Sequence, residues 1–133
     1  AFLMSIVAGI GGNSGNQTMT LIIRALALGQ ITTANVHDLI KKEFTVTAMI
    51  GLGGGAIAAI FAYVISGSKA LAAVMMAAMF INMLVGAAMG MLVPIMREKY
   101  GKDPAVGSSV LLTFATDTMG FLIFLGLATV FLL

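Results

Sequence analysis

The sequence contains no cysteine, which excludes disulfides, thiolate catalysis and thiolate metal sites and leaves the redox compartment unreadable. Charge is scarce. Only 9% of the 133 residues are Asp, Glu, Lys or Arg, against about 25% in a soluble domain. Hydrophobic residues make up 60%. A soluble chain of this length could bury a core but could not hide so much apolar surface, so the solvent is lipid. The one histidine, His37, stands beside Asp38 in a polar stretch, where a solvated side chain is the expectation. No Ser/His/Asp set, His–Glu metal spacing or phosphate loop occurs. GLGGGA lacks the strand that a dinucleotide fingerprint requires. An enzyme is therefore not expected. No basic stripe with interleaved aromatics is present, which excludes nucleic acid as a partner. The net charge of +2 comes from residues between apolar stretches and reports topology. No cleavable signal is visible: the chain opens on AFLMSIVAGI, without Met or a basic leader. The expectation is a fragment, the membrane part of a longer protein.

What is present is apolar length. Four stretches approach the roughly 20 residues that a spanning helix needs. They cover about 1–29 (interrupted by GGNSGNQT), 44–66, 70–96 and 106–133. The predicted fold is all-α, a polytopic bundle of four transmembrane helices forming one channel domain over 1–133. QITTANVHDLIKKE, between the first two spans, reads as a short interfacial helix or loop. Gly67-Ser68 reads as a tight turn, and REKYGKDPA as a connection broken at Gly101 and Pro104. Lys41, Lys42, Arg97, Lys99 and Lys102 lie in connections on one side, and Arg24 can snorkel to it. Only Lys69 marks the other side. The positive-inside rule assigns the basic side to the cytoplasm and both ends of this chain to the outside.

The 16 glycines and 11 methionines describe packing. Small residues let helix backbones approach closely in lipid, where no hydrophobic force draws helices together. Gly86-x-x-x-Gly90 fits that pattern, within this chain or at a dimer face. The methionines scatter without His or Cys partners, so they read as gap-fillers rather than a copper(I) path. Tyr63 and Tyr100 sit near span ends, as anchoring aromatics do. Asn82, a lone amide in the third span, reads as an interhelical hydrogen-bonding group.

Two polar constellations remain. Asn13, Asn16, Gln17, Thr20 and Arg24 share one face of a continuous helix. The neighbouring Gly11, Gly12 and Gly15 would allow local unwinding toward a cavity. In the last span, Thr113, Asp117 and Gly120 share a face, with Thr116 at its edge. A carboxylate at that depth costs roughly 2.5 kcal/mol or more and is kept only where protein or water surrounds it. No Lys, His or Arg stands at mid-depth to pair with Asp117. It can be held protonated by desolvation, or ionised opposite a mobile cation; the amide and hydroxyl faces favour the second. Oxygen donors alone point to a hard ion. Magnesium dehydrates reluctantly and is usually held by one or two carboxylates with several waters retained. A single Asp is a poor match, whereas two copies about a twofold axis supply a formal −2. C2 is the commonest oligomer symmetry, so a homodimer with Asp117 near its axis is the expectation.

GGNSGNQTMTLIIRALALGQI in the first span and VGSSVLLTFATDTMGFLIFLGLA in the last resemble the MgtE family of magnesium channels, over essentially the whole chain. The resemblance implies the second to fifth helices of a five-helix membrane domain. The first helix and the cytoplasmic regulatory domains are not in this sequence. It implies a homodimer with the pore on the twofold axis, lined by the first and last spans. Asp117 would recognise hydrated Mg2+, with the backbone carbonyl of Thr113 facing the ion. Asn13, Asn16 and Gln17 would line or support the pore, together with Thr116 and Gly120. Mn2+ or Co2+ could substitute for Mg2+. The partners are then Mg2+, the lipid bilayer and a second copy, in the plasma (cell inner) membrane with the C-terminus outside. Two other readings stand beside this one. One is a secondary transporter exchanging Mg2+ for Na+ or H+ at Asp117. The other is a structural module in which Asp117 only bonds a neighbouring helix.

Overall fold

The computed structural model describes residues 2–29, 36–101 and 107–132. They form four α-helices: α1 (Phe2–Ala27), α2 (Val36–Ser66), α3 (Lys69–Lys99) and α4 (Ser108–Leu132). No strand occurs among the described residues.

The element boundaries differ from the sequence expectation in two informative places. GGNSGNQT does not unwind; α1 is continuous through it. The glycines serve packing instead, and Thr20 Oγ1 donates to the Asn16 carbonyl at 2.9 Å, satisfying a polar group within the helix. The second difference is at α2. The helix begins at Val36, so HDLIKKE belongs to the spanning helix rather than to a separate interfacial segment. Asp38 in its first turn suits the positive end of the helix dipole. The rest of that connection, 30–35, lies outside the described residues.

Among the described residues, three helices are long and apolar enough to cross a membrane: Val36–Ser66, Lys69–Lys99 and Ser108–Phe131. The polar insert keeps α1 out of that group. Its 26 residues nevertheless extend about 39 Å, more than the roughly 30 Å hydrocarbon core. Its neighbours supply the apolar cover that its own composition lacks.

Gly67 makes the turn between α2 and α3. It adopts φ +69°, a left-handed conformation open to glycine at no steric cost, and its N–H bonds the Tyr63 carbonyl at 2.7 Å. Ser68 then caps α3, its Oγ accepting from Leu71 N at 3.1 Å.

Helix α3 is the centre of the bundle and packs against each of the other three; α1 and α2 meet only marginally. Backbone contacts define the directions. A Cβ built on Gly86 would lie 2.5 Å from the Gly11 carbonyl oxygen, and one on Gly90 would lie 2.6 Å from that of Gly15. Two glycine pairs four residues apart thus face each other across parallel helices, α1 and α3. Gly51 and Gly55 of α2 play the same part against Phe80 and Met76 in an antiparallel pair. Antiparallel α4 closes on α1, with Gly120 against Ala8 and Thr116 against Gly12. This arrangement gathers Arg24, Lys41, Lys42, Arg97 and Lys99 at one end of the bundle and leaves Lys69 at the other.

The core is built on methionine. Met75, Met79 and Met83 of α3 are buried with Val7, Ala62, Ala78 and Phe124. Met91 is buried with Ile22 and Ala87. Flexible thioethers fill the irregular gaps that glycine-mediated approach leaves. Ile57, Val64, Val110 and Phe114 are exposed, as lipid-facing side chains are.

Replacing Gly86 with Ala should lower the unfolding midpoint in detergent by an amount equivalent to about 1–3 kcal/mol, because the added methyl meets fixed backbone. Gly53→Ala, whose Cβ meets nothing within 4 Å, should not lower it. Equal effects would refute the close α1–α3 approach.

Candidate functional site: the open polar face of α1 and α4

The polar residues of α1 and α4 come together. Ser109 Oγ donates to Asn16 Oδ1 at 3.1 Å, tying the two helices side chain to side chain. Thr113 and Asp117 follow Ser109 at one and two turns along α4, and Asn13, Gln17 and Thr20 flank Asn16 on α1. Asn13, Gln17, Thr20, Ser109 and Thr113 are exposed; Asn16 and Asp117 are half-buried. A lane of amides, hydroxyls and one carboxylate therefore lies on the outside of the single chain, at membrane depth. Burying such groups in lipid without partners is costly.

Thr116 and Gly120 fall elsewhere. The helical offsets group them with Asp117, but both are buried in the contact with α1. Thr116 is inaccessible, and its Oγ1 donates to the carbonyls of Leu112 at 3.1 Å and Thr113 at 3.2 Å. A Cβ on Gly120 would meet Ala8 Cα and Asn82 Nδ2, each at 3.0 Å. These two residues support the polar face from behind. The Thr113 carbonyl, named as ion-facing from the family resemblance, is engaged by Thr116 within a continuous helix.

The α1–α4 contact is not uniform. Thr113 and Gly120 share a face of α4, yet Thr113 is exposed while Gly120 is closed over by Ala8 and Asn82. Gly120 has Asn82 of α3 over it as well as α1, whereas near Thr113 the two helices meet through Leu112 against Gly15 and through the Ser109–Asn16 bond.

Asn82 sits beside Gly120. It is fully buried, and its Nδ2 donates to the Val7 carbonyl at 2.9 Å, joining α3 to α1. A Cβ on Gly11 would overlap the same amide, so Gly11 and Gly120 leave room for it between three helices. Its Oδ1 is buried without a hydrogen-bond partner. The sequence marks Asn82 as an interhelical group; its spacing one and two turns before Gly86 and Gly90 places it on the glycine face that contacts α1. That spacing is the signal for its location.

Among the described residues, no group of three or more His, Asp or Glu is placed to hold a metal ion. Among the described residues of one chain, Asp117 is the only carboxylate on the polar face. A hard cation there would meet one carboxylate and a set of neutral oxygens.

A helical bundle with long, apolar, outward-facing spans defines a polytopic membrane domain. The chain belongs to the MgtE family of divalent cation transporters, whose family model matches residues 4–127. It is 32% identical over 132 residues to the magnesium transporter MgtE of Bacillus subtilis (strain 168), covering 99% of this chain and 29% of that protein. Identity to the magnesium transporter MgtE of Thermus thermophilus is 31% over the same share of each chain. To that of Enterococcus faecalis it is 29% over 136 residues. The chain thus spans 29% of the length of the curated relatives it matches. The family is one of transporters and not of enzymes, in keeping with the catalytic sets missing from the sequence.

Asn82→Ala should destabilise the bundle by about 1–3 kcal/mol in detergent unfolding, from one lost hydrogen bond and a gap where three helices meet. Asn13→Ala, on the exposed lane, should change stability by less than about 0.5 kcal/mol. Near-equal costs would remove Asn82 from its place in the junction.

Proposed function

We propose that this chain is the ion-conducting part of a magnesium channel, passing hydrated Mg2+ into the cytoplasm between two copies of itself. One observation carries the reading: the polar lane of α1 and α4, with Asp117 at mid-depth, faces outward from the single chain. Lipid is a poor partner for that lane. A second copy across a twofold axis would enclose it in a water-filled path and bring two Asp117 carboxylates to one divalent ion. The magnesium transporters named above, matched over 99% of this chain, support the choice of ion; Mn2+ and Co2+ are the nearest competitors.

The mechanism follows from charge and hydration. Mg2+ gives up its inner waters reluctantly, so the Asp117 pair holds the ion through its hydration shell. Thr113 and the amides of Asn13, Asn16 and Gln17 hydrogen-bond the outer waters along the lane. Thr116 and Gly120 fix α4 against α1 and hold the carboxylates at that depth. Inward movement releases about 2.3 kcal/mol per charge per 100 mV, so no coupled reaction is needed. The chain lies in the plasma membrane with Lys41, Lys42, Arg97 and Lys99 on the cytoplasmic side and the C-terminal end of α4 outside.

The test is Mg2+ uptake by liposomes containing the full-length protein. Asp117→Asn should reduce flux by roughly ten-fold or more, since ten-fold corresponds to only about 1.4 kcal/mol of lost ion stabilisation. The variant should keep its fold and dimeric state. Thr113→Val should have a smaller effect. Uptake that requires an opposing Na+ or H+ gradient would favour exchange over a channel. Unchanged flux in Asp117→Asn would leave the carboxylate a packing group and end the proposal.

A further inference from the structure

Helix α1 contains Gly9, Gly11, Gly12 and Gly15, and packing explains three of them. A Cβ on Gly11, Gly12 or Gly15 would strike Asn82, Thr116 or Gly86 respectively. Gly9 is different. A Cβ there would meet nothing within 4 Å, and the residue is exposed. Nor does its backbone need glycine, since the left-handed conformations fall at Gly29, Gly67, Gly101 and Gly107. Glycine inside a helix is less favourable than alanine, so the fold of one chain does not account for it.

Its position supplies a reason. Gly9 precedes Asn13 by one turn and lies on the same face of α1, in line with Gln17 and Thr20. Where those residues carry polar side chains, Gly9 carries none. Antiparallel α4 meets α1 at Ala8 against Gly120 and at Gly12 against Thr116. Gly9 and Asp117 both fall between these two levels. They are therefore within about 6 Å of each other along the bundle axis, at 1.5 Å per residue over the turn from Ala8 to Gly12. The polar lane is bare at the depth of its carboxylate.

We infer that Gly9 sets the width of the ion path at Asp117 and so selects for a cation that keeps its water shell. The inference rests on the channel reading given above. Mg2+ dehydrates reluctantly, so it needs room beside the carboxylate as well as charge. The missing side chain, one in each copy, leaves that room on α1, while Asp117 supplies the charge from α4. A side chain at Gly9 would force the ion to shed water, which Ca2+, with its flexible coordination, tolerates better than Mg2+.

Uptake of Mg2+ and of Ca2+ by liposomes containing the full-length protein tests it, with Gly9→Ala, Gly9→Val and Gly9→Leu beside Gly53→Leu. Mg2+ uptake should fall stepwise with side-chain volume. In Gly9→Leu the loss should reach roughly ten-fold, which is about 1.4 kcal/mol of added barrier. Ca2+ uptake should fall less, so the ratio of Mg2+ to Ca2+ uptake declines along the series. Gly53→Leu, on the exposed side of α2, should leave both rates unchanged. Gly9→Cys decides the matter if the bulkier variants fail to fold. It should react with a water-soluble cationic thiosulfonate, and Mg2+ should slow the reaction; Gly53→Cys should stay unmodified. Wild-type Mg2+ uptake in Gly9→Leu overturns the inference, as does a Gly9→Cys that the reagent does not touch. Equal loss of both ions, or loss of the dimer in Gly9→Ala, overturns it too, since Gly9 would then be a packing contact between copies. Unchanged flux in Asp117→Asn ends the channel reading and this inference together. Lost flux in Asp117→Asn beside wild-type flux in Gly9→Leu ends this inference alone.

Discussion

The contact on which the bundle depends is the meeting of two backbones, Gly11 and Gly15 of α1 against Gly86 and Gly90 of α3. In lipid the hydrophobic effect does not press helices together, so dispersion between closely apposed atoms must do so. Distance is then decisive, because an added methyl on either helix would strike carbonyl oxygen. This close approach also explains how α1 is held at membrane depth. A helix carrying two asparagines, a glutamine and two threonines in its middle gains little from lipid. It gains from α3, to which it presents glycines and small apolar side chains, while its amides turn the other way. Asn82 reinforces the same pair by donating a hydrogen bond to the Val7 carbonyl, in a medium where an unpaired side-chain N–H would be costly.

Polar and packing roles are separated by angle around α4. Thr116 and Leu112 look inward and are buried; Thr113 and Asp117 look outward along the seam with α1. The separation lets one helix both pack tightly and carry a charge. Thr116 is the clearest case, since its hydroxyl is spent on carbonyls of its own helix and contributes no polarity to the lane. The side of α4 that faces α1 is small and the side beyond it is wettable, which is the arrangement that a water-lined path between two copies requires.

Much of this was legible in the sequence. Apolar length marked the positions of the helices, and the family of the chain could be read from the first and last spans. Gly86 and Gly90 announced a close contact, and Asn82 announced an interhelical bond. The polar stripe of α1 was correctly grouped on one face. Three features were not legible. The glycines beside Asn13 suggest unwinding when read alone; only the position of α3 shows that they are contact points. HDLIKKE reads as polar and therefore as a loop or a separate interfacial helix, yet a spanning helix that emerges into water can carry such residues without breaking. Gly120 shares its helical offset with Asp117, but offset gives direction around one helix and not the distance to the next. Burial there is set by Ala8, on a helix more than a hundred residues away in the chain. Residue patterns encode faces well and tertiary spacing poorly.

The seam between α1 and α4 has a mechanical consequence. The glycines of α1 and α4 let the two helices touch at three successive levels: Ala8 against Gly120, Gly12 against Thr116 and Gly15 against Leu112. Ser109 adds a fourth point of attachment through Asn16. From Gly120 to Ser109 these contacts cover roughly 16 Å of the helix axis, at 1.5 Å per residue. A rod clamped at several points resists tilting more than one pinned at a single point. Asp117 lies inside the clamped stretch, so the carboxylate is carried by a strut rather than by a free arm.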